Sequence, residues 1–317
     1  LFITITSCNQ PAAKNDNQEE TNQVSEQKSM HPDWSKNANI YEVNIRQYTP
    51  EGTFRAFEEH LPRLQEMGVK ILWLMPIHPI GEKNRKGTMG SYYAVKDYKA
   101  VNPEFGTMDD FKAFVSKAHD MGFKVIIDWV ANHTAWDHSW IKDHPEWYST
   151  DSTGKMIAPF DWTDVADLNY DEPGLQEAML EALRFWVREA NIDGYRCDVA
   201  GMVPPEFWNK ARNELDQIKP VFMLAEAEEV VHHEQAFDMS YAWELHHIYN
   251  GIAKGEKTAN DLEAYFMKQD TTFPDNAYRM NFITNHDENS WNGTIEERLG
   301  DGAETFAMLT FTLPGMP

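Results

Sequence analysis

Lys124-Val125-Ile126-Ile127-Asp128-Trp129-Val130-Ala131-Asn132-His133 decides the fold. Its first part, Lys124–Val130, is apolar almost without break. That pattern marks a strand covered on both faces, as in a parallel sheet, and not the alternation of a half-exposed strand. The run then ends on polar residues. Upstream lies a helical stripe, Phe111, Phe114, Ala118 and Met121, opened by Thr107 with Asp110 three residues on and stopped by Gly122.

Working outward, the same alternation repeats. Ile40–Tyr48 reads as a first strand and Val69–Ile77 as a second. Between them Phe54, Phe57, Leu61, Leu64 and Met67 form a helical face, which Pro62 kinks or restarts. Beyond the third strand an insert runs over about 134–169. A helix follows from about Pro173 to Ala190, then strands at Asp193–Val199, Val221–Glu226, Ala236–Ala242 and Arg279–Asn285, and a helix at Ala303–Leu313. Strand and helix in alternation predict a parallel sheet with helices outside it. Seven units in a row predict an α/β fold of the (β/α)8 TIM-barrel type. The eighth strand is expected from about Gly315, so the chain stops just before the barrel closes. The barrel domain is expected over 37–317.

The charge is −23, from 51 acidic and 28 basic residues. Nucleic acid and anionic membrane surfaces call for Lys and Arg, so no nucleic-acid partner is expected. A neutral sugar fits, and the 11 Trp and 12 Tyr supply rings that stack on sugars, although most such rings are core. The two cysteines, Cys8 and Cys197, imply no disulfide framework. No stretch of about twenty apolar residues could span a membrane.

The chain opens on Leu1-Phe2-Ile3-Thr4-Ile5-Thr6-Ser7-Cys8. Residues 1–8 read as the end of an export signal, and Ile5-Thr6-Ser7-Cys8 resembles a bacterial lipobox. Residues 9–36 then read as a flexible tether, because 9–30 lack the apolar surface to offset ordering. The expectation is an exported lipoprotein, periplasmic or at the cell surface, with a membrane tether through lipidated Cys8. The plainer alternative is a ragged terminus with an incidental cysteine.

Barrel enzymes carry their catalytic groups at the C-terminal ends of strands. Here those ends read Asp128 to His133, Gly194-Tyr195-Arg196-Cys197-Asp198, Leu224-Ala225-Glu226 and Asn285-His286-Asp287. A core strand has no reason to finish on a carboxylate. Cleavage of a glycosidic bond needs two, one to attack the anomeric carbon and one to protonate the leaving oxygen, about 5 Å apart in retaining enzymes. Arg196 lies two residues before Asp198, hence on the same side of the strand, where its charge would keep Asp198 ionised. Glu226 must keep its proton to act as acid, which negative neighbours favour. Cys197 faces the other way and reads as a core thiol.

These motifs resemble those of the α-amylase family, glycoside hydrolase family thirteen. Asp128 to His133 is similar to its first conserved region, Gly194 to Asp198 to the second, Glu226 to the third, and Phe282 to Asp287 to the fourth. Asp167-Leu168-Asn169 resembles an extra region in the insert. Tyr92-Tyr93 to Asp97-Tyr98, with Asn102 to Thr107, resembles the segment after strand two. The resemblance implies Asp198 as nucleophile, Glu226 as acid/base and Asp287 as transition-state stabiliser. It implies that His133 and His286 bond the sugar, that Arg196 orients Asp198 and that Tyr93 stacks on the sugar. The implied substrate is an α-glucan or maltooligosaccharide, and the insert becomes a short domain B beside an open cleft.

Alternatives stand beside several of these readings. Glu228 and Glu229 rival Glu226, Tyr92 rivals Tyr93, Asp287 suits a helix cap, and Asp198 suits a structural ion pair with Arg196. Asn132 and Asp167 match calcium-ligand positions, so Ca2+ is a candidate cofactor. Many α-amylases, however, carry Lys-His shortly after the nucleophile, where this chain has Ala200-Gly201-Met202. Hydrolysis of α-glucosidic bonds is the first expectation, transglycosylation the alternative, and a non-catalytic sugar-binding protein the third.

Overall fold

The computed structural model describes residues 31–317. Seven parallel strands form one curled sheet in the order β1-β2-β3-β6-β7-β8-β9. They are β1 Ile40–Val43, β2 Ile71–Leu74, β3 Lys124–Val130, β6 Gly194–Asp198, β7 Phe222–Ala225, β8 Met239–Tyr241 and β9 Tyr278–Met280. The remaining two, β4 His133–Ala135 and β5 Val165–Asp167, pair antiparallel within the insert. Helices α1 Phe54–Glu58, α2 Leu61–Glu66, α3 Met108–Asp120, α4 Pro173–Glu189, α5 Pro205–Asp216, α6 Trp243–Ala253, α7 Ala259–Thr272 and α8 Ala303–Thr312 connect the strands, with shorter turns between them. This is a (β/α)8 barrel without its last full strand. The place of that strand is already marked. Met316 bridges Met280 in parallel, and the Ile40 amide donates to the Pro317 carbonyl at 2.8 Å.

Strand alternation divides the core in two. Ile71, Trp73, Ile126, Phe222, Leu224, Met239, Tyr241 and Met280 point inward and fill the barrel. Leu72, Leu74, Val125, Ile127, Tyr195, Cys197, Met223 and Ala225 point outward and pack under the helices. Cys197 is thus a buried thiol on the helix side, as read.

Several boundaries differ from the sequence reading. The first strand was expected over Ile40–Tyr48 but ends at Val43. There the Asn44 side chain accepts from the Gln47 amide and caps a helical turn, Ile45–Tyr48. At Pro62, where a kink or a restart was expected, the helix restarts: α1 ends at Glu58 and α2 opens at Leu61, with Pro62 in its first turn, where a missing N–H costs nothing. The seventh strand stops at Met280, and the Ile283 carbonyl further on is taken by Arg298 Nη2 instead of a neighbouring strand. The tether was expected to reach residue 36. Its last residues instead belong to the fold: buried His31 holds Asp238 at 2.7 Å, Asp33–Asn37 form a 3-10 turn, and Trp34 packs on Phe222. Cys8, the lipobox and residues 9–30 lie outside the described residues. No helix among the described residues is long and apolar enough to cross a membrane.

Candidate active site

Parallel pairing assembles the site at the C-terminal rim. Asp128 on β3 stands in register with Arg196 on β6, Val130 with Asp198, and Arg196 with Leu224 on β7, two residues before Glu226. Inward alternation turns Asp128, Arg196, Asp198 and Glu226 into one cluster above the apolar barrel core.

Arg196 is its hub and is fully buried. Nη1 donates to Asp128 Oδ1 at 2.9 Å and Oδ2 at 3.1 Å, and to Asp198 Oδ1 at 3.0 Å. Nη2 stands 2.8 Å from Glu226 Oε2, close enough to pair charges but not aligned for a hydrogen bond. Nε donates to Tyr241 Oη at 3.1 Å. The guanidinium carbon also lies 5.1 Å from the Trp73 ring centre and 5.6 Å from that of Tyr241, within cation–π reach.

One guanidinium therefore serves three carboxylates. Burial first, then the Glu226 charge, push the Asp198 carboxyl well up, while Arg196 pulls it down. The Val199 amide donates to Glu226 Oε2 at 2.7 Å, from a left-handed backbone with φ of 36°, unusual for a β-branched residue.

The second half of the site comes from the segment after β9. His286 Nδ1 meets Glu42 Oε1 at 2.5 Å, its Nε2 meets Tyr93 Oη at 2.7 Å, and its ring stacks on Tyr93 with centres 5.5 Å apart. Burial pulls the His286 pKa down, but the Glu42 contact outweighs it, and the net shift is upward. Asp287 is pushed up by burial, opposed by His286. It stands at the N-cap position of the turn Glu288–Trp291 but makes no capping bond with its side chain, which lines the cleft instead. His133 is buried, which lowers its pKa to about 4 and keeps the ring neutral. A cleft of about 630 Å³ is lined by Tyr93, His133, Trp162, Asp198, Glu226, His286 and Asp287, among others.

The seven catalytic and substrate-binding candidates thus come together, six on the cleft wall and Arg196 beneath it. The rivals fall away from it. Glu228 accepts from Arg279 Nη2 at 2.9 Å and from the Glu244 amide, and Glu229 faces His232. Tyr92 packs under Arg46, with Asn44 donating to its hydroxyl. The sequence reading passed over Asp128, Glu42 and Tyr241 as site residues. Asp128 stood in a quoted motif, and Glu42 is a carboxylate on an inward position of an apolar strand, which is the signal that marks it.

Asn132 and Asp167, the calcium candidates, do face one another. Asp167 is pushed up by burial, with hydrogen bonds from Ser149 and Asn132 opposing. Calcium takes six to eight oxygen ligands. This pair supplies two side chains, and no group of three His, Cys, Asp or Glu able to hold a metal exists among the described residues. These two side chains alone do not fill a calcium shell, whose other oxygens would come from backbone carbonyls or water.

Fold and rim together define a parallel (β/α)8 barrel with an arginine-centred set of acids in an open cleft. The chain matches the alpha-amylase catalytic domain over residues 13–164 and 144–317, and it belongs to the α-amylase family. It is 30% identical over 300 residues to alpha-amylase MalA of Haloarcula japonica, covering 90% of this chain and 44% of that protein. It is 35% identical to a trehalose synthase of Pimelobacter sp., covering 53% of this chain and 35% of the relative. Among solved structures, an alpha-amylase from Lactobacillus plantarum superposes with a TM-score of 0.81 at 36% identity, covering 88% of this chain and 70% of that one. The chain spans less than half the length of these two sequence relatives.

Proposed function

We propose that the protein is a retaining glycoside hydrolase acting on α-glucosidic bonds in starch-like glucans or maltooligosaccharides. The observation that supports this best is the Arg196 hub. It engages Asp198 through Oδ1 and so leaves Oδ2 for attack on the anomeric carbon. Glu226 receives the Val199 amide on Oε2, so its proton belongs on Oε1. As Asp198 Oδ2 bonds to the anomeric carbon, the glycosidic C–O bond breaks and the Glu226 proton moves to the leaving oxygen. Water then attacks the same carbon, gives a proton back to Glu226 and releases Asp198. Asp287 and neutral His133 take sugar hydroxyls, and Tyr93 gives the ring a stacking face.

Transglycosylation is the second reading, favoured by the similarity to a trehalose synthase. It differs only in what attacks the glycosyl-enzyme, a sugar hydroxyl in place of water. The test is a panel of maltooligosaccharides, starch, pullulan and trehalose, with products and anomeric configuration followed by NMR. The α-anomer as first product, with Asp198→Asn folded but inactive, is expected. A β-anomer first, or full activity in Asp198→Asn, would refute the reading. Cys8 is proposed as a lipid-modified anchor, tested by loss of labelled fatty acid in Cys8→Ala.

A further inference from the structure

Phe160 is the most exposed large apolar side chain among the described residues, at 77%. Its backbone is also held at φ of +50°, a region that bulky residues rarely adopt. The strained position has no burial to offset it.

The segment that presents it is pinned from several sides. The Trp162 amide donates to the Pro159 carbonyl at 3.1 Å. Lys86 Nζ donates to the Asp161 carbonyl at 3.2 Å and pairs with Asp164 at 3.3 Å. Trp136 Nε1 donates to the Thr163 carbonyl at 3.0 Å. A ring that is exposed, strained and rigidly mounted is suited to receive something from outside.

Its position says what. The Trp162 ring lines the cleft and stands edge-on to His133, with centres 5.5 Å apart. Phe160 stands edge-on to Trp162 at 5.3 Å and 66°. His133, Trp162 and Phe160 thus form an unbroken aromatic wall leading out of the catalytic cleft. A polysaccharide bound across that cleft would continue along it. An α-linked pyranose ring carries C–H groups on its faces and hydroxyls at its edge, and it covers an aromatic ring while its hydroxyls stay in water.

We propose that Phe160 is an outlying sugar subsite, taking the apolar face of a pyranose unit at least one unit removed from the bond cleaved. The proposal rests on the α-glucan reading above. It makes the protein a reader of substrate length, because only a chain long enough to leave the cleft reaches Phe160.

The experiment is a length series from maltotriose to maltoheptaose with wild type and Phe160→Ala. The variant should lose kcat/KM on the longest substrates by about three- to tenfold, the loss of one aromatic contact. On maltotriose it should change less than about twofold, and its Tm should not fall. Phe160→Tyr should restore the long-chain rate. Titration of maltoheptaose into Asp198→Asn, with and without Phe160→Ala, should show the same loss in affinity. An equal fall at every length with a lowered Tm, or no change at any length, would overturn the inference. If wild type acts on no α-glucan while folded, the functional reading fails first.

Discussion

Asp128→Asn removes one charge at the centre of the site and keeps the volume. Asp128 is fully buried. Its oxygens accept four hydrogen bonds, from Arg196 Nη1 at 2.9 and 3.1 Å and from Tyr93 Oη and Trp73 Nε1 at 3.2 Å each. An asparagine has one acceptor oxygen, and its NH2 donates only. With nitrogen in place of Oδ2, three donors face it. In place of Oδ1, only Arg196 does, so the amide settles that way round. One charge-assisted bond is lost, worth about 1.5–3 kcal/mol. Breaking a buried ion pair outright costs about 3–5 kcal/mol, but Arg196 keeps Asp198 and Glu226. The expected loss is therefore about 2–4 kcal/mol, and the Tm should fall by about 3–6 °C, read by calorimetry. The Asp128 charge is also among those that raise Asp198. Without it, Asp198 ionises at lower pH, and the acidic limb of the kcat/KM profile moves down. A Tm within about 1 °C of wild type, with an unmoved acidic limb, would refute the view that Asp128 holds Arg196.

Gly194→Ala should fail more severely, because a Cβ there would lie 1.8 Å from the Phe222 carbonyl oxygen, a backbone atom fixed by strand pairing. A loss above about 3 kcal/mol in urea unfolding, or no soluble protein, is expected, and a near-wild-type midpoint would contradict the register. Glu42→Gln should lower the His286 pKa, measured by NMR titration. Since His286 is raised above 6.5 by that contact, the stabilisation from Glu42 is full below 6.5 and is lost as pH climbs through the raised value. The stability gap between wild type and Glu42→Gln should therefore close from pH 6.5 upward, and a gap that widens there would reverse the argument. A chelator such as EDTA should leave Tm and activity unchanged, because Asn132 and Asp167 offer only two side chains toward the six to eight oxygens that calcium takes. A fall restored by calcium would show ligands that this geometry lacks.

The sequence is legible where one residue type has one place to go. The β3 and β7 runs are covered on both faces, so they are apolar almost throughout, and a carboxylate at the end of such a run has few structural explanations. The short rim elements read poorly. β1 looks longer than it is because Ile45 and Tyr48 are apolar, yet they belong to a helical turn that Asn44 caps. The pairings that complete the site are hidden for another reason. Glu42 and His286 lie 244 residues apart and meet only because the barrel brings β1 beside the segment after β9. Tyr241 reaches Arg196 across the barrel interior. Sequence periodicity tells which face a residue occupies, and closure of the barrel alone tells which faces meet.

The choice of arginine at 196 follows from the same closure. Four acceptors approach it from four strands or strand ends: Asp128 and Asp198 at Nη1, Glu226 at Nη2, Tyr241 at Nε. A lysine has three donors on one rotatable nitrogen and cannot span that arc, whereas the planar guanidinium offers a fixed fork. Its flat face also fits among Trp73, Tyr93 and Tyr241, where a compact ammonium would leave space. The site nevertheless remains short of positive charge. Asp128, Asp198 and Asp287 crowd around Arg196 and His286, and burial pushes all three carboxyls up. The acid-assisted displacement proposed above requires a proton held beside an arginine-bound carboxylate. The electrostatic strain of this crowding is bearable because the apolar layer of Ile71, Ile126, Phe222, Leu224 and Met239 beneath holds the strands in register.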